Sequence, residues 1–315
     1  MAAPRRAAHR DRGRRTRLPS LQREYLPAAR GAPHAVYAGS SGGAGDLRRA
    51  HAAAGSSAGG AVREPLSVLV PTRNEEPNVR ACLESVRWAE EVVVVDSGST
   101  DRTVPIARSI ADRVLEHEYV NSAAQKNWAI PQLTHRWVLI VDADERVTPA
   151  LRKEIERVLA DPARADGYWI RRANRFLGRP IGSAGWQRDK VLRLFDRTKG
   201  AYEPLHVHAE VRIEGRVGKL EERLTHETYA DLDRYFEKFS RYTKWSAADL
   251  KQRGIRASAA RLLVRPWMRF FRMYVLEGGF REGRHGIVLC MLAAFSVFTK
   301  YARRWEDEVR PQEDR

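Results

Sequence analysis

The sequence predicts a doubly wound α/β sheet, mostly parallel, with a helical region at its C-terminal end. Three observations carry this. Between residues 66 and 144, short apolar runs alternate with stretches of helical spacing in the order βαβαβαβ. The runs are continuously apolar rather than alternating, which means burial on both faces of a parallel sheet. With 315 residues, 43% of them apolar, the chain can close a core without disulfides or a structural metal.

Residues 1–63 hold twelve Arg, no Lys and three acids, a net +9 of the chain's +16, with only six Leu, Ile, Val and Phe. So little apolar surface cannot offset the entropy of ordering, and a disordered basic tail is expected. A solvated tail or an upstream-extended start is the plain reading. An arginine-rich arm for nucleic acid or anionic lipid, or a transit-like segment, is the alternative; no apolar secretory h-region follows. Leu66 to Val70 reads as a buried strand closed by Pro71, which removes a ladder donor. Val79, Cys82, Leu83 and Val86 at helical spacing predict a helix over 77–88, and the β-branched run 91–95 a second strand. Residues 101–112 read as a helix, 113–117 as a third strand, 122–132 as a helix and 137–141 as a fourth strand.

Composition and motifs exclude several classes. Two lone cysteines, Cys82 and Cys290, cannot make a secreted framework or a four-ligand zinc site, so a reducing compartment is expected. No GxGxxG follows the first strand and no GxxxxGK[ST] occurs, which argues against a dinucleotide dehydrogenase or a P-loop NTPase. A haloacid-dehalogenase-type phosphatase also places D-x-D after an apolar strand. Its motif needs Thr or Val two positions after the second Asp, where this chain has Arg146, and here three strands come first.

In open α/β sheets the ligand sits beyond the carboxyl ends of the strands. Those positions are Pro71-Thr72-Arg73-Asn74-Glu75, Asp96-Ser97-Gly98-Ser99 and Asp142-Ala143-Asp144-Glu145, three polar clusters expected to converge on one crevice. Helix capping explains Thr100 or Asp101 alone. It does not explain Asp142 and Asp144, two carboxylates that repel each other unless a cation or solvent offsets them. A hard divalent metal carrying phosphates is the economical answer.

Taken jointly and in order, with Gln125-Lys126-Asn127 between the second and third, these clusters resemble the three signatures of glycosyltransferase family 2. Downstream, Gly185-Trp186, Asp189, Leu192-Arg193-Leu194-Phe195, Gly215 to Leu220, His226 and the helix around Tyr235 and Tyr242 are similar to the branch containing lipopolysaccharide-core β-glucosyltransferases. The resemblance covers about residues 66–305. It implies a GT-A fold and inverting transfer from a nucleotide-sugar donor, UDP-linked, to a glycolipid or lipopolysaccharide-core acceptor. The organisation it implies is a basic tail over 1–63, a catalytic domain over 64–230 and a helical region over 231–315.

The resemblance also implies roles. Asp144, with Asp142, would hold Mg2+ or Mn2+ against the diphosphate. Pro71, Thr72, Arg73, Asn74 and Glu75 would line the base and ribose pocket. Asp96, beside Ser97, would accept hydrogen bonds from uracil or ribose, and Lys126 would add charge near the nucleotide. The catalytic base is open. The branch often has a His-Glu pair before the strand at Val211, and here His208 is followed by Ala209. Glu210, one position later, faces the opposite side of a strand unless a bulge intervenes. Asp189, Glu203 and His208 are the other candidates, and His206 or His208 is a further candidate for the metal or pyrophosphate.

From Lys251 to Arg304 there are twelve basic and two acidic residues, interleaved with Trp267, Phe270, Phe271, Tyr274, Phe280, Phe295, Phe298 and Tyr301. The longest apolar run, Gly286 to Phe298, has 13 residues, against about 20 needed to span a bilayer. An amphipathic element in the interface of an anionic membrane is expected, placing the protein on the cytoplasmic, inner face of the plasma membrane. A packed helical cap is the alternative. Nucleic acid is not expected as a partner, because residues 64–315 carry 44 basic against 37 acidic residues and no reader motif. A second functional class remains: a catalytically impaired nucleotide-sugar-binding or nucleic-acid-binding protein on the same fold, with Ala209 marking lost catalysis. Retention of both Asp142 and Asp144 favours the enzyme.

Overall fold

The structure, a computed structural model, describes residues 63–203 and 210–310. The expectations for the tail up to residue 62 and for His206 and His208 lie outside the described residues.

Strands β1 (Leu66–Thr72), β2 (Glu91–Asp96), β3 (Arg113–Glu116) and β4 (Trp137–Ile140) pair in parallel in the order β3-β2-β1-β4. Helices α1 (Glu76–Val86), α2 (Thr103–Arg108) and α3 (Ser122–Ala129) connect them, within a few residues of the periodicity-based expectation. Every residue of β2 is buried, as a continuous β-branched run requires in a sheet covered on both faces. One core packs Leu66, Val68, Val70, Val92 and Val94 under α1 and α4 (Pro149–Ala160). The other packs Leu69, Val93, Val95, Val138 and Ile140 with Ala123, Ala129 and Phe195.

Beyond β4 the sheet becomes mixed. The remaining strands are β5 (Glu145–Val147), β6 (Gly167–Phe176), β7 (Arg179–Pro180), β8 (Lys190–Asp196), β9 (Gly200–Tyr202), β10 (Val211–Ile213) and β11 (Val217–Tyr229). The order continues β4-β8-β6-β11-β5, with β8 antiparallel to β4 and β6, β11 parallel to β6, and β5 antiparallel to β11. Thus β4 lies mid-sheet and β5 on the far edge. Asp142 to Asp144 form the bend between them, where the crevice opens.

The C-terminal helices are α5 (Leu232–Gln252), α6 (Ala259–Phe271) and α7 (Gly283–Val309), with a π turn over Arg272–Leu276 and a 3-10 turn over Gly279–Glu282. Asp231 caps α5 by accepting from the Arg234 N–H, and Ser258 caps α6 by accepting from the Arg261 N–H. The turn closes on α7 so tightly that a Cβ on Gly286 would lie 1.9 Å from the Gly279 carbonyl oxygen. One expectation is revised. The 13-residue apolar run is the middle of a 27-residue helix, extended at both ends by residues that hydropathy alone discounts. Residues Gly279–Val309 are long and apolar enough to cross a membrane, yet 44% of their most apolar window is buried inside the protein.

Candidate active site

Two loops form one wall of the crevice and hold each other. Asn74 sits in the left-handed region (φ 53°), which Asn tolerates better than most side chains. Its N–H donates to Ser99 Oγ and its Oδ1 accepts from the Thr100 N–H, both at 2.8 Å. The Glu76 N–H donates to Asp101 (3.1 Å), and Glu76 accepts from the Arg102 N–H (3.0 Å). Asp96 is 2% exposed, and its carboxylate accepts from the Ser99 N–H and hydroxyl. It therefore shapes the loop from beneath. Thr72 is also buried, and its carbonyl accepts from the Ser97 N–H. Gln125 on α3 donates to Ser97 Oγ. Beyond these loops opens a cavity lined by Arg73, Ser97, Gly98, His117 and Tyr119. The His117 ring lies against Trp128, with centroids 4.2 Å apart.

The opposite wall is the bend after β4. Asp142 and Asp144 turn to different partners. Asp142 Oδ1 lies 3.2 Å from Lys126 Nζ, and Oδ2 accepts from the buried Arg193 on β8. Burial pushes the Asp142 carboxyl up, but Arg193 and Lys126 outweigh it and hold it well below the usual carboxylate range. Glu145 is fully buried; it accepts from the Asp142 N–H (3.0 Å) and, through Oε1, from Arg172 and Arg193, each at 3.3 Å. Asp144 faces Lys238 Nζ of α5 (3.3 Å) and His226 Nε2 of β11 (3.6 Å). Burial again opposes ionisation, and His226 and Lys238 again overcome it. The mutual repulsion expected of the two aspartates is thus relieved by fixed cations from α3, β8 and α5. Glu75 is held by Asn78 (2.7 Å) and lies 3.7 Å from Arg234; burial raises its carboxyl above the usual range.

A relay orients the histidine. Arg172 donates to both oxygens of Asp189 at 2.8 Å, and Asn174 Nδ2 donates to Asp189 Oδ2 at 2.9 Å. The Asn174 amide is thereby fixed with Oδ1 as acceptor, 2.6 Å from His226 Nδ1. Nδ1 therefore donates to Asn174, and Nε2 faces Asp144. A ring nitrogen held this way by its other hydrogen bond is the arrangement of a metal-ligating histidine. Among the described residues no three or more His, Cys, Asp or Glu converge to hold a metal alone. The pair fits a hard cation that takes its remaining oxygens from phosphate and water.

The sequence pattern described as Glycosyl transferase family 2 matches residues 67–208, which span both walls. Over 249 residues the chain is 30% identical to the lipopolysaccharide core biosynthesis glycosyltransferase LpsC of Rhizobium meliloti, covering 77% of this chain and 92% of that one. The chain belongs to glycosyl transferase family 2. The transferase is also 27% identical to an uncharacterized glycosyltransferase of Rickettsia felis over 76% of this chain and 89% of that one. Among solved structures it is similar to the mannosyltransferase PcManGT from Pyrobaculum calidifontis in complex with GDP-Man and Mn2+, at 20% identity and TM-score 0.45 over 78% and 88% of the two chains.

In this glycosyltransferase the GT-A sheet brings together Arg73, Asn74, Glu75, Ser97, Lys126, Asp142 and Asp144. Pro71 and Thr72 end β1 beneath them. Asp189 joins the site through Asn174. Glu210 is exposed just before β10, its carbonyl accepting from the Glu203 N–H at 3.0 Å. Arg172, Asn174 and Lys238 carry no sequence expectation, and Glu145, Arg193 and His226 appear in the motifs without a role. Arg193 had a signal: a charge inside Leu192-Arg193-Leu194-Phe195 must find a carboxylate if the strand is buried.

Proposed function

We propose that the transferase moves a sugar from a UDP-linked donor, with inversion, onto a glycolipid or lipopolysaccharide-core saccharide met at the anionic cytoplasmic face of a membrane. The observation that carries this is the convergence of Asp144 and His226 Nε2 across the crevice from the Arg73, His117 and Tyr119 cavity. The LpsC name supplies the acceptor class. The cavity takes the base, His117 and Tyr119 offering ring surface, and the loops around Asn74 and Ser97 present backbone groups to the ribose.

Asp144 and His226 would hold Mg2+ or Mn2+, which when bound supplies Lewis-acid neutralisation of the departing diphosphate. Asp142 keeps Lys126 and Arg193 in place beside it and stands outside that ligand pair, a revision of the reading that both aspartates share the cation. The acceptor hydroxyl attacks the anomeric carbon in line, its C–O bond forming as the bond to the diphosphate oxygen breaks, and its proton passes to a protein base. Asp189 is the weakest candidate for that base. Against the lift from burial, Arg172 and Asn174 hold its carboxyl below the usual range and occupy both oxygens. Glu210, Glu203 and His208 remain.

The test is a screen of UDP- and GDP-sugars for nucleoside-diphosphate release, with and without Mn2+, using core oligosaccharide or extracted membrane glycolipid as acceptor. UDP release that needs Mn2+ and rises with acceptor above a slow hydrolysis, with inverted configuration in the product, is expected. Full activity in excess EDTA removes the metal role, and retained configuration removes the in-line step.

A further inference from the structure

Helix α6 buries none of its residues to the level of the core, and its outward face is apolar: Leu263, Val264, Trp267, Met268 and Phe271 are 51–69% exposed together with Leu276 in the following turn. The spacing of these positions, three or four residues apart in pairs, makes one continuous stripe along the helix. The inner face, with Leu262 and Phe270, packs toward α7 and the turn before it. A stripe of this size on a soluble surface marks a contact with something outside the chain.

Charge identifies the occupant. Residues 251–284 contain nine Lys and Arg and two acids, Glu277 and Glu282. Both acids are buried, 7% and 8% exposed. Glu282 accepts from the Gly182 N–H and the Ser183 hydroxyl, and Glu277 pairs with Arg272. This stretch therefore shows solvent cations and apolar side chains with no exposed carboxylate among them. A second copy docked on the same face would oppose one basic rim to another. An anionic lipid surface satisfies both features at once: the acyl boundary takes the stripe and the headgroups take the arginines.

We propose that α6 lies in the plane of an anionic bilayer as the anchor of this enzyme, beside α7, which packs one face into the protein and leaves Ile287, Met291, Phe295 and Phe298 39–47% exposed on another. This rests on the glycolipid reading of the acceptor and names the surface that meets it. A spanning α7 would have to surrender Leu289, Cys290, Ala294, Val297 and Tyr301, all buried against the neighbouring helices. It would also break the Arg303 bond to Thr243 of α5 and the Arg265 bond to the Tyr301 hydroxyl. The anchor reaches the active site through short links. Glu277 and Glu282 grip residues 182–185, a few positions before Asp189, and α5 carries Lys238 to Asp144.

The experiment is flotation of the full chain with phosphatidylcholine vesicles, with and without phosphatidylglycerol, in low salt and in about 1 M salt, where the Debye length is near 3 Å. Binding to the anionic vesicles, weakened but not abolished by salt and released by alkaline carbonate, is expected. Trp267→Ser/Met268→Ser should lower the bound fraction tenfold or more, while sugar-nucleotide hydrolysis in solution is unchanged. Arg256→Glu/Arg284→Glu should lose the salt-sensitive share alone. Equal binding to neutral and anionic vesicles, or none to either, overturns the anchor. Resistance to carbonate overturns it in favour of a spanning α7. A dimer in light scattering that Trp267→Ser/Met268→Ser converts to monomer assigns the face to a second copy instead. None of these readouts uses transfer, so a wrong acceptor class leaves them untouched.

Discussion

The bend after β4 and the outward face of α6 handle charge in opposite ways. At the bend, Asp142, Asp144 and Glu145 are met by Lys126, Arg172, Arg193, His226 and Lys238 within hydrogen-bond or ion-pair distance. On α6 and the turns around it the acids are buried, while Arg256, Arg265, Arg281 and Arg284 are exposed. The difference follows from solvation. A charge taken out of water must be matched inside the fold, because the unpaired ion costs several kcal/mol. A charge left in water need not be matched, and a surfeit of one sign then says what approaches from outside. The bend is a machine for holding ions in fixed places, and α6 is a surface for meeting a partner.

The sharpest way to break this contrast is Asp144→Asn. If the bend is built to place a carboxylate beside His226, removing one charge there should lower kcat by about 10^3 while the fold persists. Steady-state transfer with calorimetric Mn2+ titration checks both halves. Undiminished Mn2+ binding would move the ligand role elsewhere in the crevice.

Removing a cation from the bend should hurt stability instead. Arg193→Met strands Asp142 and Glu145 without their shared guanidinium, a loss of about 3–5 kcal/mol in urea unfolding at neutral pH. The exposed Arg284→Ser should stay within about 0.5 kcal/mol. The pH dependence has a definite sign. Asp142 has a depressed carboxyl in the fold, so its contribution is present above the ordinary carboxylate range and is lost as pH falls below about 4. The gap between wild type and Arg193→Met should therefore narrow on acidification.

How much of this was legible follows from distance along the chain. Strands β1 to β4 each announce themselves as one apolar run, and the aspartates lie two positions apart in one motif. Their partners do not. Arg193 reaches Asp142 from 51 residues away and Lys238 reaches Asp144 from 94. His226 stands in a strand whose exposure follows no clean alternation, because it pairs in parallel with β6 on one side and antiparallel with β5 on the other. Periodicity cannot see such pairings. The same limit hid the length of α7, whose ends are polar but are held by α5 and α6.

A smaller effect tests the relay behind the histidine. Asn174→Leu removes the acceptor that fixes His226 Nδ1, and Mn2+ affinity should fall about 10–100-fold. Calorimetric titration measures it. A merely structural asparagine would instead lower the melting temperature and leave the affinity of the folded fraction alone. Asp189→Asn, which frees the Asn174 amide to flip, should follow the same direction.

The smallest expected effect separates two adjacent rings. Sequence alone treats Phe270 and Phe271 alike, as aromatic residues in a basic stretch. The fold divides them. Phe270 stacks on Tyr274 with centroids 5.2 Å apart and packs with the cluster of Phe176, Ile181, Met273 and Leu289. Phe271 is 55% exposed on the outward stripe. Phe270→Ser should cost about 2–4 kcal/mol, the transfer and cavity terms of a packed ring. Phe271→Ser should change unfolding in the absence of lipid by no more than about 0.5 kcal/mol, since it exchanges one solvated side chain for another. With phosphatidylglycerol vesicles present the order should reverse: the folded fraction of Phe270→Ser still floats, and Phe271→Ser binds more weakly than wild type. Equal destabilisation by the two substitutions would mean that the outer stripe is covered in the free protein, and α6 would then belong to the packed interior.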